Sequence, residues 1–370
     1  MVRLAGLVLI ALSLAACAPR GSVTIDPAAA NVGDVVPVFV GTTRNLDPKT
    51  DHFGSGRHEG VDYARLDISV PPDRKLGTVP FPPRYDPPDP KRDFLTTSET
   101  IYKTPATFRA ALSRALRAEP EGRREAVVYV HGFNNTFAEG VYRIAQISHD
   151  LDLPGVAVHY SWPSAANPLN YAYDRDSALF ARDGLEKLLT EVARSGARHI
   201  LLIGHSMGSE LVMEALRQMR LDGNAPVLSR LAGVVLISPD IDVEVFRSEA
   251  LRIGRLPQPF VIFTSARDRA LALAARLTGQ DHRLGNLSDV KRLADLKVTV
   301  LEVGAFSKGI GHFTAATSPA LIRILSRIND INSAYASDRS GRTGLLPGVA
   351  LTVQNATQII LNPMSRMAAP

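Results

Sequence analysis

A chain of 370 residues, 45% hydrophobic and 21% charged, can bury a full core, which excludes a disordered or fibrous protein. Its formal net charge of +5 is scattered. The densest basic run, Arg114, Arg117, Arg123 and Arg124, reads as a solvated helix and loop face, and no nucleic-acid-binding module accompanies it. The single cysteine, Cys17, rules out an internal disulfide, and neither a phosphate-cradling GxxxxGK[ST] loop nor metal-type Cys/His spacing occurs, so no cofactor or metal is called for.

Residues 1–16 read as an export signal: Arg3 is a short positive region, and residues 4–14 are an apolar stretch too short to span a bilayer. The stretch ends in Leu14-Ala15-Ala16-Cys17, which resembles the lipobox of a bacterial lipoprotein, where the cut precedes a cysteine that then carries lipid. A plain signal peptide cut after an Ala-x-Ala-like site is the alternative. Ala18 rather than aspartate after the cysteine favours the outer membrane over the inner one. Residues 17–34 then form the lipidated cysteine and a flexible tether, residues 35–330 the folded domain, and residues 331–370 a C-terminal tail ordered only if it docks elsewhere.

Within the domain, residues 35–40 and 64–70 read as strands, and the proline cluster at 71–93 as an extended crossover. Residues 107–118 read as a helix. From residue 126 onward strands (126–130, 156–161, 200–203, 234–237, 260–264, 298–303) alternate with helices (137–151, 175–195, 210–219, 243–253, one from 270, and 319–328). Such alternation predicts an α/β fold: a mainly parallel central sheet with helices on both faces and ligands at the carboxyl ends of the strands.

The chemistry-bearing residues fall at those ends. Gly204-His205-Ser206-Met207-Gly208 sits between an apolar strand and an amphipathic helix, so Ser206 occupies the apex of a strained turn at a helix N-terminus. His131-Gly132-Phe133-Asn134-Asn135 follows the strand at 126–130, where an α/β-hydrolase carries its second oxyanion donor. The N–H groups of Phe133 and Met207 are therefore the candidate oxyanion hole. Asp268 and His312 each follow a later strand, giving the chain order Ser, Asp, His. A serine hydroxyl needs a base to take its proton, histidine suits that task, and the acid fixes the imidazole tautomer. Asp240 in Ser238-Pro239-Asp240-Ile241-Asp242 is the rival acid, although Asp240 and Asp242 equally suit the N-cap of the following helix. His205 is read as orienting the elbow and His131 as shaping the loop; the remaining histidines are read as surface or strand-flanking groups.

The segments Val38 to Arg44, Val128 to Phe137, Tyr160-Ser161-Trp162-Pro163-Ser164, Tyr173-Asp174-Arg175-Asp176, GHSMG, SPDID and Ser265 to Leu271 resemble a bacterial family of α/β-hydrolases grouped with esterases and lipases. The resemblance covers roughly residues 35–328. It implies the α/β-hydrolase fold and a serine hydrolase with Ser206, Asp268 and His312 in the triad, and brings no substrate. It also makes Trp162, Tyr173 and Asn134 candidates for the substrate pocket, although Trp162 and Tyr173 equally suit plain core and helix positions. The expected activity is cleavage of a small-molecule or lipid ester, or a thioester, through an acyl-enzyme. A non-catalytic envelope scaffold and an acyltransferase are the competing readings.

Overall fold

The computed structural model describes residues 20–48, 52–83, 85–280, 282–306, 312–325 and 348–361. Cys17 and the signal segment lie outside them. The strands are β1 (Asp34–Asp47), β2 (His52–Val70), β3 (Leu95–Tyr102), β4 (Glu125–Val130), β5 (Val156–Ser161), β6 (His199–His205), β7 (Leu231–Ile237), β8 (Phe260–Thr264), β9 (Val298–Glu302), β10 (Gly348–Val353) and β11 (Ala356–Leu361). They form one sheet in the order β10-β11-β9-β8-β7-β6-β4-β5-β1-β2-β3. The block from β1 through β5, β4, β6, β7, β8 and β9 to β11 is parallel. β2 and β10 run against their neighbours.

The central strands are buried on both faces, as a parallel sheet under two helical layers requires. Their side chains divide with period two: Ala126, Val128 and Val130 of β4 join Ile200 and Leu202 in one core, while Val127 and Tyr129 join Ile203 in the other. The first core is covered by α1 (Pro105–Ala118), α4 (Arg182–Arg194), α5 (Met207–Leu221) and α6 (Val243–Ile253) through residues such as Phe108, Leu188, Val212 and Phe246. The second is covered by α2 (Phe137–Asp150) and α8 (Pro319–Leu325) through Val141, Ile144 and Leu321. Two further helices, α3 (Tyr171–Phe180) and α7 (Arg269–Leu277), follow β5 and β8.

Four expectations change. The segment after Cys17 is not a free tether from Arg20 on: Thr96 N donates to Thr24 O and Asp26 N to Thr96 O, each at 2.9 Å, and Pro27–Asn31 forms a 3-10 turn capped by Asp26. Part of the C-terminal tail is also built into the fold, because β10 and β11 form a hairpin that zips onto β9 from Ala356↔Val298 to Ile360↔Glu302. The helix expected over 175–195 is two helices broken at Ala181, whose carbonyl accepts from the Tyr160 hydroxyl at 2.6 Å. Finally, β1 and β2 extend well past their apolar stretches into a long polar hairpin, from Arg44↔Arg57 to Asp47↔His52. Among the described residues no helix is long and apolar enough to cross a membrane.

Candidate active site

β6 runs directly into α5 with Ser206 between them at φ 53°, ψ −123°, a backbone conformation that side-chain-bearing residues rarely adopt. The flanking glycines are dictated by contact. A Cβ on Gly208 would lie 2.2 Å from His131 O and 2.6 Å from Val130 O, and one on Gly204 would lie 2.8 Å from Ser209 Cα. Ser206 is almost fully buried, and Met207 is the first residue of α5, whose N–H has no partner within the helix.

The loop after β4 crosses over this elbow. A Cβ on Gly132 would stand 2.8 Å from Ser206 Cβ and 2.8 Å from His205 Nδ1, so only glycine lets Phe133 follow so closely. Phe133 packs edge-on against Tyr171, ring centroids 5.3 Å apart. Asn134 has φ 59° and its N–H donates to Asp174 Oδ2 at 3.1 Å.

On the other side, Asp268 follows β8 and serves two partners. Its Oδ1 accepts from Leu271 N at 3.0 Å, capping α7, and its Oδ2 meets His312 Nδ1 at 2.8 Å. Asp268 is buried and His312 is partly exposed. His205 lies under this pair: its ring is 5.0 Å from His312 and 4.1 Å from Phe313, and it bonds to the His312 backbone. Burial, then the nearby His312 and Arg143, hold the His205 imidazole well below the usual histidine range, so it packs as a neutral ring.

The rival acid is engaged elsewhere. Asp240 Oδ1 is 3.1 Å from Arg283 Nε, both side chains 3% exposed, and Asp240 Oδ2 accepts from the Tyr171 hydroxyl at 2.8 Å. No contact joins it to His312 among the described residues. Asp242 does cap α6, accepting from Glu244 N at 2.8 Å and Val245 N at 3.1 Å.

Trp162 is fully buried, its indole stacked on His131 at 4.7 Å and its Nε1 donating to His131 O at 2.7 Å. Tyr173 lies against the β2 arm, its hydroxyl donating to Ser55 O at 3.3 Å with Arg57 over its ring. Their contacts are with the loop after β4 and the hairpin, so the plain structural reading of these two residues describes them better than a pocket role.

Two residues that the sequence reading left without a role organise this region. Asp174, fully buried, accepts from Asn134 N, from Ser164 Oγ at 2.5 Å and from Ala165 N at 2.7 Å, tying together the loops after β4 and β5. Arg44, 1% exposed, fans its guanidinium over Ser161 Oγ (2.8 Å), Gly54 O (2.9 Å), Ser164 O (3.1 Å), Asn135 O (2.9 Å) and His131 Nε2 (3.3 Å). These contacts use all five N–H groups and no carboxylate lies within ion-pair distance among the described residues, so burial lowers its pKa to about 10. The His131 ring is held between two carbonyls, with Nδ1 2.8 Å from Gly132 O and Nε2 3.0 Å from Trp162 O, and Arg44 Nη2 lies 3.3 Å from the same Nε2. Both residues belong to segments that carried the family resemblance, and that was the only sequence signal for them.

Residues 104–328 match the family model described as "Alpha/beta hydrolase of unknown function (DUF900)". The chain belongs to this family. Its fold agrees, with Ser206 at a strand–helix turn of a mainly parallel sheet. No curated protein sequence matches the chain. Among solved structures it is similar to a fungal esterase from Rhizomucor miehei (15% identity, 83% of this chain and 88% of that one, TM-score 0.34). It is also similar to a Trichoderma reesei cutinase in complex with a phosphonate inhibitor (14% identity, 60% and 93%, TM-score 0.27). Esterase Est22 is a third (11% identity, 83% and 84%, TM-score 0.34).

Proposed function

We propose that this family member is a serine hydrolase that cleaves a carboxylic ester through an acyl-enzyme on Ser206. The observation that supports it most is that a positive-φ serine at the end of β6 shares one sheet edge with a buried carboxylate bonded to His312 Nδ1. With Nδ1–H held by Asp268, the imidazole presents Nε2 as an acceptor for the serine proton. Ser206 Oγ then attacks the ester carbonyl, and the negative oxygen sits between the N–H groups of Phe133 and Met207. The imidazolium returns the proton to the departing alcohol. Water then gives a proton to His312 and its oxygen to the acyl carbon, releasing the acid and restoring Ser206. A thioester would pass through the same steps.

The sequence supports export and lipidation at Cys17, with the outer membrane as the destination, and this completes the proposal. The test is labelling with a fluorophosphonate probe of the chain beginning at Ala18, wild type beside Ser206→Ala. Labelling confined to the wild type, with hydrolysis of p-nitrophenyl butyrate, is the expected result. A folded wild type that neither labels nor hydrolyses overturns the reading.

A further inference from the structure

Residues 20–24 are docked on the oxyanion loop and the helix that follows it. Arg20 Nη1 donates to Asn134 Oδ1 at 2.8 Å and Nη2 to Asn134 O at 2.7 Å, while Nε and Nη2 grip the Glu139 carboxylate at 3.0 and 2.6 Å. Gly21 N donates to Glu139 Oε1 at 3.1 Å, and Gly21 O accepts from the Thr136 hydroxyl at 2.8 Å. Thr24 N continues the strap to the Tyr142 hydroxyl at 3.3 Å. Arg20 therefore contacts the residue next to Phe133, a proposed oxyanion donor.

Arg20 is three residue steps from Cys17, and extended chain spans roughly 3.3–3.6 Å per step, so a lipid on Cys17 starts within about 11 Å of Arg20. A domain of this size is about 50 Å across. An anchor that short selects which side of the molecule meets the membrane, and that side is the carboxyl edge of the sheet. The same edge carries Leu169, 89% exposed in the loop between β5 and α3, and the exposed Arg267 and Arg269 just past β8. An exposed apolar side chain and exposed cations on one edge suit a bilayer surface with anionic headgroups.

We infer that the strap holds the site's edge against the bilayer, so that the ester taken by Ser206 is a membrane-resident amphiphile drawn from the headgroup region. This rests on the proposed Cys17 anchor and the proposed serine chemistry. It is not implied by them, since a longer tether would leave the site free to face the aqueous phase.

The test uses the full-length lipidated protein in phosphatidylethanolamine–phosphatidylglycerol vesicles. Cys17 is the only cysteine and is consumed by lipid, so Leu169→Cys, or Gly122→Cys at the opposite edge of the sheet, provides a single thiol for an environment-sensitive dye. Lipids brominated near the headgroup should quench the dye at position 169 at least threefold more than at position 122. Equal quenching at both positions, stronger quenching at 122, or a mass showing no lipid on Cys17 overturns the inference. For the substrate, a fluorogenic phosphatidylglycerol in the vesicles should turn over at least tenfold faster with the lipidated enzyme than with the chain from Ala18. p-Nitrophenyl butyrate should be hydrolysed equally by both. Equal rates on the vesicle ester overturn the substrate assignment, whereas loss of p-nitrophenyl butyrate hydrolysis in both overturns the hydrolase reading and leaves the quenching result to judge the orientation.

Discussion

Asp268 and Asp240 should fail in opposite ways, and the contacts say by how much. Asp268→Asn keeps a side-chain oxygen able to cap α7, so the roughly 1 kcal/mol cap is retained and the melting temperature should move little. It replaces the charged acceptor of the 2.8 Å bond to His312 Nδ1 by an amide that favours the wrong tautomer, a change that costs about 10⁴ in kcat when an acid holds the base this way. Asp240→Asn leaves the His312 bond untouched but strips the buried Arg283 of its ion-pair partner. Breaking such a pair destabilises by about 3–5 kcal/mol, or about 5–10 °C in Tm. The assays are p-nitrophenyl butyrate kinetics and thermal unfolding on the same preparations. A larger kcat loss in folded Asp240→Asn than in Asp268→Asn would refute the assignment of the acid.

Three more outcomes are expected. Arg44→Lys preserves the charge but not the five-way fan, so kcat should fall by about 10²–10³ with KM little changed, in line with the loss of one oxyanion donor. Its affinity for a trifluoromethyl ketone, a tetrahedral-state mimic, should fall with it, and wild-type kcat would remove Arg44 from the loop's support. Gly208→Ala drives a Cβ into the His131 and Val130 carbonyls, which are backbone and cannot rotate away, so probe labelling of Ser206 should drop at least 100-fold. Glu249, buried on α6 with Glu214 and Glu210 adding like charge, has its carboxyl pushed up to about 9, chiefly by burial. Between about pH 4.5 and 9 the folded chain holds a proton that the unfolded chain has released, so stability falls as pH rises through that window. Glu249→Gln should flatten the decline and raise stability at pH 7 by up to about 3 kcal/mol, read from Tm against pH.

The parallel core was legible because the central strands are mostly apolar runs, and Ser206 was legible because two glycines bracket it at a strand–helix junction. The hairpin arm was not. Its tip, Arg44 to Arg57, is polar and rich in glycine, and its pairing depends on contacts such as Arg44 to Gly54 O and Tyr173 to Ser55 O. The docking of residues 20–31 was hidden for a related reason: Asp26 and Thr24 bond to Thr96, some seventy residues away, which no local pattern announces. The acid was left open between two aspartates because both follow strands. Asp240 is taken up by Arg283, which a β-bridge to Asp242 holds beside it, and the sequence around Arg283 carries no sign of that pairing.

The site draws on almost the whole length of the chain. Arg44 braces the loop after β4 from one end, His312 comes from near the other, and β9, which leads toward His312, is paired on its outer side by Ala356–Leu361. A chain emerging from the ribosome therefore has its loop support and Ser206 long before it has His312, the proposed base. The proposed catalytic set is incomplete until residue 312 has been made, and a chain ending before it would keep Ser206 and Asp268 without the proposed base.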